Sequence, residues 1–427
     1  PRPQGRDDRR VHRTDRRHPV SRIDLDSGNP FIRYRRFLDS FGRAVAGGWS
    51  DADFVSLVRR LDESVRAVDG RGFMLTPMSA HPEAAQALGL ATDRLWVKDD
   101  THNVGGSHKA RHLFGVMLHQ ALDLEDADAE LAIASCGHAA LAAAVDARAE
   151  ERPLRVFIPT WADRSVVEEL ERLDARIEVC ERRPGEAGDP TYLRFLEAVN
   201  RGSVPFSVQS TVTPTTIDGG RTLGWEAAER LGSLGVEGPM RVMLQIGGGA
   251  MAAAVASGIE TGVFHEWVRV EPKYHPVQTE ACAPLRRAWD SLLATAGVPE
   301  PSSDAERASV LRSDAGALAV VMSLAENQPD RFMYPWDPVG ETSATGILDD
   351  ITYDWLGVLE PTIRSGGWPI VVDETAVVEA HRIGHEILGL EVSPTGTAGM
   401  AGLLDPALST SIASEEAVLV FATGVER

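Results

Sequence analysis

From residue 130 onward the sequence alternates short apolar runs with segments of helical pattern. The runs "ELAIAS", "LRVFIPT" and "ARIEVC" lead into "HAALAAAVDARAEE", "RSVVEELERL" and "TYLRFLEAVNR", and further on "RVMLQI" precedes "AMAAAVASGI" before "WVRVEP" follows. A strand that enters a helix before the next strand cannot close a hairpin, so neighbouring strands run parallel and the helices cover the sheet. The expected fold is α/β, with mostly parallel twisted sheets and helices on both faces. In such sheets ligands sit beyond the carboxyl ends of the strands. The loops that follow the apolar runs are therefore where chemistry is expected. A chain of 427 residues can bury a large core and form two units. The segment 301–335 is less regular, and no role is read from it.

Charge narrows the partners. The formal net charge is −20 and the pI is near 5.1, which disfavours nucleic acid or an anionic membrane as the main partner. The exception is the opening stretch "PRPQGRDDRRVHRTDRRHPVSR". It is rich in arginine, almost free of large apolar residues, and reads as a disordered basic tail. It has neither the apolar run of a secretory signal nor the acid-poor composition of a transit peptide. No stretch reaches the ~18 apolar residues of a membrane span. Cys136, Cys180 and Cys282 are too few and too scattered for a disulfide framework or a zinc site. A reducing, cytoplasmic setting is expected.

Four strand-end loops carry candidate chemistry. "IGGGAM", residues 246–251, lies between an apolar run and an alanine-rich helix, so its amides and the helix start form an anion cradle. It lacks the lysine of a P-loop. Gly247, Gly249 and Ala252 also fit a dinucleotide fingerprint, with Glu271 as the ribose-binding acid, and on this loop alone a dinucleotide, another phosphate and a plain tight turn all stay open. "ASCGHAAL", residues 134–141, presents Ser135, Cys136, Gly137 and His138 at a helix start, a setting for a carboxylate. Cys136 can also be read as a nucleophile there, and His138 as a capping or packed imidazole. In "HNVGGSHKAR", Lys109 stands at a helix start, where an ammonium is disfavoured and a neutral, nucleophilic amine is favoured. His108, His112 and His119 share its neighbourhood at helical spacing, but without a zinc signature no metal is expected. The fourth loop is the end of "AVLVFATGVER", where an apolar strand runs into Thr423.

Together these stretches resemble the fold-type II pyridoxal-phosphate enzymes, the tryptophan synthase β-like group, and look closest to threonine synthase and threonine dehydratase. "NVGGSHK" is similar to the stretch that carries the family's Schiff-base lysine, "SCGH" to its Ser-Ser-Gly-Asn carboxylate loop, "GGGAM" to its phosphate loop, and "ATGVER" to its terminal hydroxyl segment. "NPFIRYRRFL", "LTPMSAHPEAAQALGLATDRLWVKDD", "TIDGGRTLGWEAAERLG", "ETSATGI" and "VSPTGTAGMAGLL" resemble further segments in the family's order. The resemblance implies pyridoxal 5′-phosphate as cofactor, with Lys109 as the catalytic residue. It implies cofactor contacts from Lys109, His108, His138, Gly247, Gly248, Gly249, Ala250, Met251 and Thr423, and substrate contacts from Ser135, Cys136, Gly137 and His138. It implies a lyase or synthase that eliminates or replaces a group at Cβ or Cγ of a small amino acid, working as a homodimer. It implies a larger cofactor-binding unit of residues 24–111 and 213–427, a smaller mobile unit of residues 112–212, and a tail of residues 1–23. His138 stands where the family has Asn, His108 where Phe is common, and Ala110 where threonine synthase has Asp. These departures point to an unusual substrate. They also keep open a cofactor-binding regulatory protein without turnover, while the glycine loop alone keeps open a nicotinamide-dependent oxidoreductase.

Overall fold

A computed structural model describes residues 23–123, 129–186, 188–298 and 302–426. All but the last residue of the expected tail lies outside the described residues. The strands are β1 (Met78–Ala80), β2 (Leu95–Asp99), β3 (Leu131–Ala134), β4 (Leu154–Pro159), β5 (Arg176–Cys180), β6 (Val204–Pro205), β7 (Glu237–Gln245), β8 (Arg269–Thr279), β9 (Ile370–Val372) and β10 (Ala417–Ala422). They form two sheets, one of six strands in the order β1-β2-β10-β7-β8-β9 and one of four in the order β5-β4-β3-β6. Every pairing is parallel except β1 with β2. The α/β architecture with two sheets is thus the one the alternating pattern predicts.

Helices Lys109–Leu122 and Thr216–Ser233 cross at glycines. A Cβ on Gly115 would lie 2.5 Å from the Gly219 nitrogen, and one on Gly220 would drive into the His112 ring. Only residues without side chains let the two backbones meet this closely. Residues 110–119 of the first helix are all buried, which explains why it lacks a polar face.

The apolar stripe Phe54, Leu57, Val58, Leu61 and Val65 of helix Asp51–Asp69 joins the core that surrounds the four-stranded sheet, together with Phe31, Phe114, Ile133 and Val156. Phe31, Phe73 and Phe114 pack ring against ring with centroids 4.4–5.1 Å apart. The N-terminal segment also binds helix Thr216–Ser233, where Arg33 and Tyr34 donate to Glu229 and the Asp39 amide donates to Asp218, so it packs against both units. The irregular stretch before β9 contains helices Asp304–Ser313 and Ala315–Asn327. Among the described residues no single helix is long and apolar enough to cross a membrane.

Asp146 is buried in helix His138–Ala149, and among the described residues neither carboxylate oxygen has a hydrogen-bond partner. Burial, with Asp69 and Glu150 adding to it, holds this carboxyl well above the usual range. The unfolded chain loses the proton near pH ~4 while the folded chain keeps it, so this group erodes stability as pH rises. Asp146→Asn is expected to be more stable than wild type at pH 8, with the gap closing toward pH 4 by up to about 1.4 kcal/mol per unit. Urea unfolding across that range measures the slope.

Candidate active site

Lys109 owes its position to the loop that leaves β2. Asp100 N donates to the Ala422 carbonyl (2.8 Å), Val425 N to the Gly106 carbonyl (2.9 Å), and Ser107 pairs with Gly424 across an antiparallel bridge. The loop is thus clamped to the end of β10. Gly105 and Gly106 adopt left-handed backbone, with φ of 62° and 67°, and Ser107 Oγ accepts from the Lys109 amide at 3.3 Å. One orphan donor of the helix start is satisfied in this way. Burial holds the Lys109 ammonium below its ordinary pKa, opposed by the carboxylates of Asp349 and Asp354.

Beneath it lies a charged cluster that the sequence reading did not single out. Arg111, fully buried, donates to Asp100 (2.8 Å), to Glu226 (2.5 Å) and to the Thr222 hydroxyl (3.1 Å). Lys98 donates to Glu226 (2.7 Å) and to the Thr76 carbonyl (2.7 Å). Two cations, two carboxylates and Thr76 tie the end of β2, the first turn after Lys109 and helix Thr216–Ser233 into one unit. The doublet in "VKDD" and the arginine in "HKAR" were its only sequence signals. Cutting one member leaves a buried charge unpaired, so Arg111→Met is expected to cost about 3–5 kcal/mol, read as an earlier urea transition.

The glycine loop follows β7. Gly249 opens helix Ala250–Phe264 with φ of 95°. A Cβ at Gly247 would collide with the Asp349 carboxylate, and one at Gly249 would press on Thr352 and Asp354. The Asp349 carboxylate stands over the loop, where the Gly248 amide favours its charged form, as expected of amides at a helix start. Burial pushes the Asp349 carboxyl up to about 6, with Lys109 opposing the shift, and burial likewise raises Asp354 to about 6 against its Ser210 hydrogen bonds. The alanine and methionine that end the loop, Ala250 and Met251, are buried at the helix start.

The loop after β3 brings the smaller sheet to the same place. Ser135, Cys136, Gly137 and His138 are half-buried. Desolvation raises the Cys136 thiol to about 11, which leaves it protonated and argues against the nucleophile reading. His138 opens its helix, and its Nε2 donates to the Val425 carbonyl at 3.0 Å. His108 Nδ1 donates to the Thr423 carbonyl at 3.1 Å, and burial holds that imidazole well below its usual pKa, hence neutral. Thr423 is buried, and its hydroxyl accepts from Gln245 Nε2 at 2.6 Å. The lobes also meet where Ser210 donates to Asp354 and Tyr192 packs on Tyr353, ring centroids 5.4 Å apart.

His112 and His119 are structural. His112 Nδ1 binds the Thr216 carbonyl at 2.9 Å and burial lowers its pKa to about 3, while His119 pairs with Asp218 at 2.9 Å. Glu271 pairs in register with Pro239, at the amino ends of β7 and β8. The glycine loop sits at the opposite end, so Glu271 cannot serve as its ribose-binding acid, and the oxidoreductase reading loses its support.

A family model described as pyridoxal-phosphate dependent enzyme matches residues 72–424. The chain belongs to this family. No curated protein matches the chain, whereas solved structures do. It is similar to threonine deaminase isoform 2 from Solanum lycopersicum at 15% identity, covering 89% of this chain and 86% of that one with a TM-score of 0.60. It is similar to diaminopropionate ammonia lyase from Escherichia coli at 16% identity, 88% and 89% coverage and a TM-score of 0.60, and to maize serine racemase at 18% identity, 87% and 93% coverage and a TM-score of 0.57. At such identities these likenesses speak for the fold, that of the fold-type II enzymes.

The family's cofactor is pyridoxal 5′-phosphate, and the residues present fit it. The cradle leaves little room for a Cβ at Gly247 and Gly249 and faces the Asp349 carboxylate, a half-buried amine of lowered pKa stands near that carboxylate, and the Thr423 hydroxyl accepts one hydrogen bond and keeps its own proton to give. Asp349→Asn is expected to tighten cofactor binding at least about fivefold at pH 8, since a like charge a few ångströms from a phosphate opposes it by ~1 kcal/mol or more. Absorbance titration of the apoprotein gives the value.

Proposed function

We propose that the protein catalyses elimination or replacement at Cβ or Cγ of a substituted amino acid, in the manner of threonine synthase or the amino-acid ammonia-lyases. The observation that carries the reading is the pairing of a half-buried amine of depressed pKa, Lys109, with a hydroxyl, Thr423, at the neighbouring strand end. In this reading Lys109 would bond the cofactor aldehyde, the amides of Gly247, Gly248, Gly249, Ala250 and Met251 would hold its phosphate, and Thr423 would face its ring nitrogen. When bound, the cofactor supplies an electron sink for charge developing at a substrate's Cα. A hydroxyl, unlike a carboxylate, does not hold the ring nitrogen protonated, which favours loss of a β substituent over transamination.

The chain's own groups supply the rest. The amides and hydroxyl of Ser135, Cys136 and Gly137 receive the substrate carboxylate at a helix start. Lys109, its ammonium disfavoured by burial, moves the Cα proton. His138 spans from the carboxylate loop to the Val425 carbonyl, in the place of the family's usual Asn, and its imidazole makes the site unlike a standard threonine synthase. The smaller lobe, mobile in this reading, closes through Ser210 and Tyr192 on Asp354 and Tyr353, excluding water. The partners are a small amino acid and a second copy of the chain, in a reducing cytoplasmic setting consistent with three free cysteines.

The carboxylate seated in the phosphate cradle favours one second reading, a regulatory protein that binds cofactor without turnover. A screen of the yellow holoenzyme against amino acids with hydroxyl, phospho, acyl or amino substituents separates them. Ammonia with a 2-oxo acid, or a new amino acid, is expected with at least one substrate. Inversion of Cα without loss of a substituent identifies a racemase and overturns elimination. A spectrum indifferent to every amino acid identifies the regulatory reading. Lys109→Ala is expected to lower turnover by at least about 10³-fold, and borohydride is expected to fix the cofactor mass on the peptide that contains Lys109 in wild type only.

A further inference from the structure

Away from the cleft, helix Glu374–Glu386 carries His381 and His385 one turn apart, with ring centroids 4.5 Å from each other. Glu426 reaches them from the end of the chain. Its course is fixed by backbone pairing: Ser393 N donates to the Gly424 carbonyl (2.8 Å), Val392 pairs with Val425, and Glu426 N donates to the Glu391 carbonyl (3.2 Å). His385 Nε2 lies 3.0 Å and His381 Nε2 lies 3.6 Å from Glu426 Oε2, and the three ligand atoms all fall within 4.8 Å of one another.

Ligands about 2.0–2.1 Å from a tetrahedral zinc stand ~3.3 Å apart, and the distances of 3.0 and 3.6 Å to Glu426 bracket that edge. The shorter one also suits a direct hydrogen bond, but the 3.6 Å separation is too long for one, and among the described residues the buried His381 Nε2 atom has no hydrogen-bond partner. A buried imidazole nitrogen aimed at a carboxylate but not bonded to it is an unfilled valence. His385 Nε2 also donates to the Val392 carbonyl at 2.9 Å; ligation through this atom requires its proton to move to Nδ1 and the ring to give up that bond for the ion. Glu426 is half exposed, so an ion can enter from solvent.

We propose that His381, His385 and Glu426 form a binding site for a first-row divalent cation of zinc type, with water completing the coordination. Imidazole and carboxylate are the donors such ions prefer. The site clips the C-terminal segment to the helix, and that segment gives Val425 N to Gly106 and the Val425 carbonyl to His138. The ion is therefore a brace for the two loops that frame the cleft. It does not touch reacting atoms.

Calorimetric titration of the holoenzyme with Zn²⁺ tests this directly. Binding of one equivalent is expected, weakened at least about tenfold in His381→Ala and in Glu426→Gln, with a higher melting temperature in the metal-loaded wild type. His381→Cys loaded with Co²⁺ is expected to show a thiolate charge-transfer band, which reports ligation by that position independently of any loss of stability. Zinc affinity weaker than about 1 mM, binding that survives both substitutions, or absence of the cobalt band overturns the proposal.

Discussion

The buried cluster of Lys98, Asp100, Arg111, Glu226 and Thr76 is the constraint on which the cleft depends. Taking these charges out of water is costly, and only mutual pairing offsets it. The pairing has a directional consequence that apolar packing would not provide. Arg111 sits two residues after Lys109, and its guanidinium is held by a carboxylate from the β2 loop on one side and one from helix Thr216–Ser233 on the other. The start of the lysine helix is therefore fixed against two elements. The glycine crossing of Gly115 with Gly219 removes the remaining slack, since any side chain there would push the helices apart. A lysine held in one place on a rigid helix start can meet a small ligand repeatedly in the same geometry.

Strand order then explains why loops far apart in the chain meet. β2, β10 and β7 are neighbours in the sheet and run parallel. Strands in a sheet stand about 4.8 Å apart, so the segments leaving their carboxyl ends line up within roughly 10 Å. Lys109 follows β2, Thr423 follows β10 and the glycine loop follows β7. A hydroxyl thus lies between an amine and an anion cradle, a layout scaled to a small planar molecule with a phosphate at one end. The last strand of the chain, inserted between two earlier ones, makes the arrangement possible. It also makes the site sensitive to the C-terminal segment.

Much of this was legible in residues and some was not. The strands at "LRVFIPT" and "RVMLQI" and the helices after them stand out because buried parallel strands are continuous apolar runs bounded by turns. Lys109, the glycine triplet and "SCGH" stand out because helix starts after strands are few and their chemistry is readable. The insertion of β10 and the packing of the N-terminal helices between the smaller sheet's core and helix Thr216–Ser233 depend on contacts between distant residues, which no local pattern encodes. Phe54 and Leu61 predict a helix with an apolar face, not which core receives it. Asp349 and Asp354 escaped notice for a related reason. They occur in the irregular stretch "GILDDITYDWL", where neither period nor motif marks them, and only folding brings them over the glycine loop.

Those two aspartates resolve why a lysine can stand at a helix start. The local field of the helix end and burial both disfavour its ammonium, while Asp349 and Asp354 across the cleft favour it. The two carboxylates thereby oppose the shift that burial imposes on the amine. Asp354 also accepts a hydrogen bond from Ser210 of the smaller lobe, so the second carboxylate bears on the amine and on the opposite wall of the cleft at once.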